Sequence, residues 1–160
     1  MNEKYLRIYM QDHLAGSTTG LELARRTAGA NKGSEYGPAL TKIADEIASD
    51  RRQLENIMRD LGFGADKLKN VAAWGLEKMG RLKLNGELTS YSPLSRVVEL
   101  EGLITGISGK RELWVALLEV APTEPRLDAA LLERLRDRAE EQRETVEDLR
   151  VKAAREAFAT

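Results

Sequence analysis

The apolar residues of the segment 39–61 recur at alternating steps of three and four, which places them on one face of a helix. Asp50 stands in the middle of this face at the same spacing. Pro38 suits the first turn of such a helix, and Gly62 suits a left-handed cap after its last turn. The spacing therefore predicts a core helix over 39–61 whose apolar face contains Leu40, Ile43, Ile47, Leu54, Ile57 and Leu61.

Three further segments carry apolar residues at helical spacing, and they predict core helices over about 3–27, 93–120 and 126–157. Ser92 and Pro93 suit the N-cap and the first turn of the third helix. No segment shows the sustained alternation of apolar and polar residues that a half-buried strand requires. The sequence therefore predicts an all-α fold.

The connection between the second and third helices, residues 62–92, is too long for a simple turn. Asp66 suits an N-cap there, and the apolar residues that follow have helical spacing, which predicts a short extra helix. We therefore expect one helical-bundle domain over 1–160, in which two helical hairpins are joined by one long crossover.

Composition excludes several classes of protein. The 25 basic and 26 acidic residues nearly cancel along the chain, so neither nucleic acid nor an anionic membrane is expected as a partner. The absence of cysteine excludes disulfides, thiolate metal sites and cysteine nucleophiles, and it favours a cytoplasmic location. The longest strongly apolar run, 113–118, is too short to cross a bilayer.

One polar residue stands near the middle of each predicted core helix. These residues are His13, Asp50, Glu101 and Gln142, at positions where leucine would be the simple choice for a core. An unpaired buried carboxylate costs several kcal/mol, so both acids need partners among the other polar residues, an arginine, water or a metal ion. The sequence therefore predicts a buried polar layer formed by these four side chains.

The first helix contains the stretch "DHLAGSTTGLE", in which Gly16 and Gly20 lie four residues apart. Each glycine costs about 1 kcal/mol relative to alanine in a helix interior, so a gain elsewhere must compensate. We expect a close contact with a neighbouring helix to supply it, with His13 directed towards Asp50.

The helix order, the crossover and the mid-helix polar residues resemble the ferritin-like superfamily, in particular uncharacterised bacterial members with a similar "DHLAG" start. The resemblance implies a ferritin-like four-helix bundle with one long crossover containing a short extra helix. The family's di-iron or di-manganese site needs two Glu-x-x-His motifs. This chain has none: Asp50-x-x-Gln53 stands at the matching place in the second helix, and the nearest analogues in the fourth are Glu140-x-x-Arg143 and Glu141-x-x-Glu144. We therefore expect the standard di-iron site, and the activities that depend on it, to be absent.

The sequence leaves three functional hypotheses. In the favoured one, the chain is a metal-free structural or interaction module without catalytic or cofactor-binding residues, and its partner is a second copy or another protein. In the second, His13, Asp50 and Glu101 bind one divalent ion such as Mn, Fe or Zn. In the third, the small residues of the first helix leave a cavity for a small ligand, with Tyr9 or Trp114 as a wall.

Other chemistries find little support in the sequence. Ser17 and His13 share a helix face, but no third triad member or oxyanion donor accompanies them. The stretch "GFGADK" lacks the preceding strand and the full spacing of a phosphate-binding loop. An enzyme is therefore not expected.

Overall fold

A computed structural model describes residues 1–64 and 91–159 of the chain. In these two ranges the chain forms four α-helices, with a short 3₁₀ turn between the last two, and no strand. The helices are α1 (Glu3–Ala30), α2 (Gly37–Asp60), α3 (Pro93–Val120) and α4 (Ala129–Phe158). The predicted all-α class is confirmed for these residues. The extra helix expected after Asp66 lies outside the described residues.

The ends of the helices follow from local capping. Asn2 and Ser92 cap α1 and α3 through side-chain oxygens that accept backbone N–H groups. Asp128 caps α4 in the same way, accepting from the N–H of Leu131 at 3.1 Å, so this helix begins at Ala129 and not at the predicted 126. Gly62 has a φ of 73°, the left-handed conformation expected after the end of α2.

Neighbouring helices of the bundle run antiparallel. α1 packs against α2 and α3, while α4 packs mainly against α3 and more lightly against α2. The end of α1 meets the start of α3, where Arg26 Nε lies 2.9 Å from Glu99 Oε1. At the opposite end of α1, the guanidinium of Arg7 lies 5.1 Å from the ring centroid of Phe63, just after α2. The chain between α2 and α3 therefore connects opposite ends of the bundle, as a long crossover requires.

The apolar faces predicted for α2 and α4 are buried. Burying each large apolar side chain contributes about 1.5–3 kcal/mol, so these faces supply much of the stability. On α2 the buried residues include Leu40, Ile43, Ile47, Leu54 and Ile57, and on α4 they include Leu132, Leu135, Ala139, Val146 and Ala153. None of the helices described is both long enough and apolar enough to cross a membrane.

A buried hydrogen-bond network joins the end of α1 to the start of α3. Asn31, only 1% exposed, donates from Nδ2 to the carbonyl of Thr27 and to the hydroxyl of Tyr91, each at 2.8 Å. Its Oδ1 accepts from Arg96 Nε at 2.7 Å. Tyr91 in turn donates to Glu99 at 2.9 Å, and burial is the main cause that raises the pKa of Tyr91 to about 12. One carboxamide thus holds two helix ends together.

We predict that Asn31→Ala lowers the free energy of unfolding by about 2 kcal/mol, because Arg96 Nε and the Tyr91 hydroxyl lose a buried partner. Urea denaturation followed by circular dichroism measures the change. The control is Asn56→Ala on the exposed face of α2, which we expect to shift stability by less than about 0.5 kcal/mol. Equal effects of the two substitutions would contradict a stabilising role for the network.

Candidate functional site

A cleft of about 510 Å³ lies between α1, α2 and α3. Apolar side chains make up most of its wall, and among them the large Trp114 is 1% exposed. The polar part of the wall includes His13 from α1, Asp50 and Arg51 from α2, and Lys110 from α3. The cleft therefore combines a largely apolar surface with a small number of ionisable groups, as ligand sites in proteins usually do.

Five glycines line the cleft, Gly16 and Gly20 from α1 and Gly102, Gly106 and Gly109 from α3. A Cβ built on any of them except Gly102 would lie more than 4 Å from every described atom outside its own stretch of helix backbone. At Gly102 it would lie 3.0 Å from Cδ2 of Leu23. The stretch around Gly16 and Gly20 is helical, as predicted, but no helix of the described residues makes the expected close contact there, so that expectation is wrong for this part of the chain. Among the described residues these glycines leave space open.

A cluster of charged and amide side chains from three helices lies against the cleft. Asp50 has a fully buried carboxylate, whose Oδ2 is 2.5 Å from Lys110 Nζ and whose Oδ1 is bound by Arg138. Gln142 accepts from Lys110 Nζ at 2.5 Å and donates to Glu46 Oε2 at 2.9 Å. We call these five residues the polar cluster. Both oxygens of the buried carboxylate thereby have cationic partners.

The structure brings together two of the four residues predicted for the polar layer. Asp50 and Gln142 are buried and meet in the polar cluster, with Gln142 Nε2 at 3.4 Å from Asp50 Oδ2. His13 is half-buried in the wall of the cleft and is not a member of the cluster. The expected contact of His13 with Asp50 is not among the hydrogen bonds of the described residues, in which Asp50 binds cations and Gln142.

The prediction that Glu101 belongs to a buried layer is wrong. Its side chain is 55% exposed, with Oε1 at 3.8 Å from Arg150. The buried acid of α3 is instead Glu99, which is bound by Arg26 and by Tyr91 near the end of the bundle. The reason is that α3 buries Leu100 and Leu103, so the position after Leu100 turns to solvent.

Sequence reasoning missed three members of the polar cluster, Glu46, Lys110 and Arg138. Two of them had a signal in the spacing, because Glu46 lies one turn before Asp50 and Arg138 one turn before Gln142. Lys110 had a weaker signal, since it stands in "GISGK" within the most apolar of the four described helices.

The alternative metal site of His13, Asp50 and Glu101 is not formed. Among the residues described, no group of three or more histidine, aspartate or glutamate side chains is placed to hold a metal ion. The two cations on Asp50 occupy the oxygens that a metal would need, and Glu101 is directed towards Arg150. Lysine and arginine beside a carboxylate also repel a divalent ion.

Burial lowers the pKa of two basic groups of the cleft, Lys110 and His13. Desolvation lowers the pKa of the Lys110 ammonium, and the adjacent Asp50 carboxylate opposes that change. Desolvation likewise lowers the pKa of His13, with a smaller opposing effect from Asp12. The His13 ring stacks edge-on against Tyr9, with centroids 4.6 Å apart. Near neutral pH, His13 therefore presents an uncharged imidazole with one donor and one acceptor nitrogen.

In its described residues the protein is an antiparallel helical bundle with a glycine-lined cleft beside a buried ion pair. Comparison of the chain with protein-family models, with curated proteins and with solved structures gives no match.

We predict that Asp50→Leu lowers the free energy of unfolding by about 3–5 kcal/mol, because it leaves Lys110 buried without its carboxylate. Adding Lys110→Met to the same chain removes the uncompensated charge, and we expect it to recover part of the loss. Urea denaturation of the wild type, both single variants and the double variant gives the coupling energy. Asp45→Leu, on the exposed face of α2, is the control. Additive effects of the two substitutions would rule out the buried pair.

We predict that stability rises with pH between the folded-state pKa of His13 and its unfolded value of 6.5. In that window the unfolded chain binds more protons than the folded chain, so raising the pH favours folding. Below the window both states carry the proton, and the cost of burying the cation is fully present. Urea denaturation at several pH values between about 5 and 8 should show this slope in the wild type. His13→Gln should lack it, and an unchanged slope in that variant would refute the assignment.

Proposed function

We propose that this protein binds a small, largely apolar molecule in the cleft between α1, α2 and α3. The observation that carries the proposal is the space that the residues 1–64 and 91–159 leave open at Gly16, Gly20, Gly106 and Gly109, beside the buried Trp114. The cleft volume of about 510 Å³ falls within the range of about 300–1,000 Å³ that ligand pockets occupy.

The energetic cost of the cleft supports this proposal. Each glycine in a helix interior costs about 1 kcal/mol relative to alanine. Unfilled apolar space costs more, because its lining side chains lose contacts. At Gly16 and Gly20 no close packing against a described neighbour offsets that cost. Local departures from the rules of stable folding are expected at functional sites, and binding of a ligand would compensate for both losses.

The polar cluster has a supporting role in this proposal. Asp50 and Lys110 form part of the cleft wall, and Arg138 and Gln142 bind them from the side of α4. Charged and amide groups buried in a helical bundle can fix the register of its helices. In this function no metal takes part, and the cluster holds the wall of the cleft in place.

We also propose that the bundle has a ferritin-like fold. Two antiparallel hairpins, with α1 between α2 and α3, are the arrangement that one long crossover produces in that class. Lys110 and Arg138 bind both oxygens of Asp50, which agrees with a member of that class without its metal site. The absence of cysteine supports a reducing, cytoplasmic location.

We predict that Nile red, an uncharged apolar dye that brightens in apolar surroundings, binds the wild type with a saturable rise in fluorescence. Gly20→Leu and Gly109→Leu should each weaken binding at least about tenfold, because the new side chains fill opposite walls of the cleft. Both variants should keep or raise the free energy of unfolding, since leucine is the better helix former.

The control for these variants is Gly29→Leu. Gly29 also lies in α1 with open space around it, but it is outside the cleft. We expect Gly29→Leu to bind Nile red as the wild type does. No saturable binding by the wild type, or equal binding by the two cleft variants, would refute the proposed function.

A further inference from the structure

Asp12 of α1 brings a carboxylate to the cleft at a place open to solvent. The residue lines the cleft, and its side chain is exposed. Within the ranges 1–64 and 91–159, none of the side-chain hydrogen bonds and ion pairs involves this carboxylate. A bound molecule can therefore reach it without displacing a partner that the structure describes.

The cations of the cleft wall, in contrast, have carboxylate partners. Arg51 lies 2.7 Å from Glu55 Oε1, and Lys110 Nζ lies 2.5 Å from Asp50 Oδ2. Charges paired at such distances largely cancel each other for a molecule farther away. Among the charged residues that line the cleft, Asp12 is therefore the one without a counter-ion in the described part of the chain.

Neighbouring acids act on the two titratable rings that α1 places in the cleft. Burial is the main cause that raises the pKa of Tyr9, and the negative charge of Glu112 raises it further. Burial lowers the pKa of His13, and the negative charge of Asp12 opposes that change. Negative charge thus lies beside the α1 wall, where it favours a cationic group and disfavours an anionic one.

We infer that the cleft takes an apolar primary amine, whose hydrocarbon part fills the glycine-lined space while its ammonium group lies beside Asp12. An ammonium group at this exposed residue keeps part of its hydration, so the cost of burying a charge is largely avoided. Near neutral pH the uncharged imidazole of His13 adds an acceptor nitrogen to the same wall. This inference rests on the proposed function and narrows it to one class of ligand.

Displacement of Nile red by three molecules of one chain length tests the head group. At about 0.01 M ionic strength, where screening is weak, we expect decylammonium to displace the dye at a concentration about fivefold lower than decanoate. Decanol, which has no charge, should lie between them. Equal displacement by all three, a preference for decanoate, or displacement by none overturns the inference, while the binding of Nile red still supports the cleft. Failure of Nile red to bind at all is the separate outcome that refutes the proposed function.

Variants of α1 test the role of Asp12 through selectivity, the ratio of decylammonium affinity to decanoate affinity. Asp12→Asn keeps the size of the side chain and removes its charge, so the selectivity should fall to about one while Nile red binds as before. Glu22→Gln is the matched control, because Glu22 is also exposed on α1 but lies outside the cleft lining. It changes the net charge equally and should retain the selectivity. Selectivity that survives in Asp12→Asn, or that falls equally in both variants, overturns the assignment of the ammonium site.

Discussion

The buried carboxylate of Asp50 is the constraint on which the arrangement of the helices depends. A charge in that position costs several kcal/mol unless hydrogen-bonded cations accompany it. Lys110 of α3 and Arg138 of α4 supply them, so the interaction joins α2 to both helices of the second hairpin. Since Asp50 and Lys110 also line the cleft, the same contacts that set the positions of three helices set one wall of the candidate site.

In the opposite wall, different residues of α1 anchor the helix to the core and border the cleft. Met10, Leu14 and Leu23 are buried and secure this helix to the core. Gly16 and Gly20 lie on the part of the helix that faces the cleft, where they add no side chain. The buried residues therefore offset the poor helix propensity of the glycines, and the helix can border an open space without losing its place in the bundle.

The fold could be predicted from the sequence where its pattern is local and unambiguous. In α2 and α4 the apolar residues occupy one narrow face, so their period identified both the helix and its buried side, and the buried positions of Asp50 and Gln142 followed. In α3 the pattern is ambiguous, because apolar residues such as Val98 and Ile104 surround the helix on several sides. Its orientation could not be read from spacing, and Glu101 was therefore placed in the core while Glu99 was overlooked.

The cleft and its ion pair depend on distances between helices, which a one-dimensional pattern does not contain. The spacing of Gly16 and Gly20 shows where side chains are missing, but only the separation of α1 and α3 decides whether a neighbour fills the gap. Lys110 presents a related difficulty, because its long side chain carries the charge well away from its backbone position. The sequence therefore predicts the helices that bury apolar surface. It does not predict where the helices leave a cleft, or where a long side chain such as that of Lys110 places its charge. In this protein those are the places where a ligand would bind.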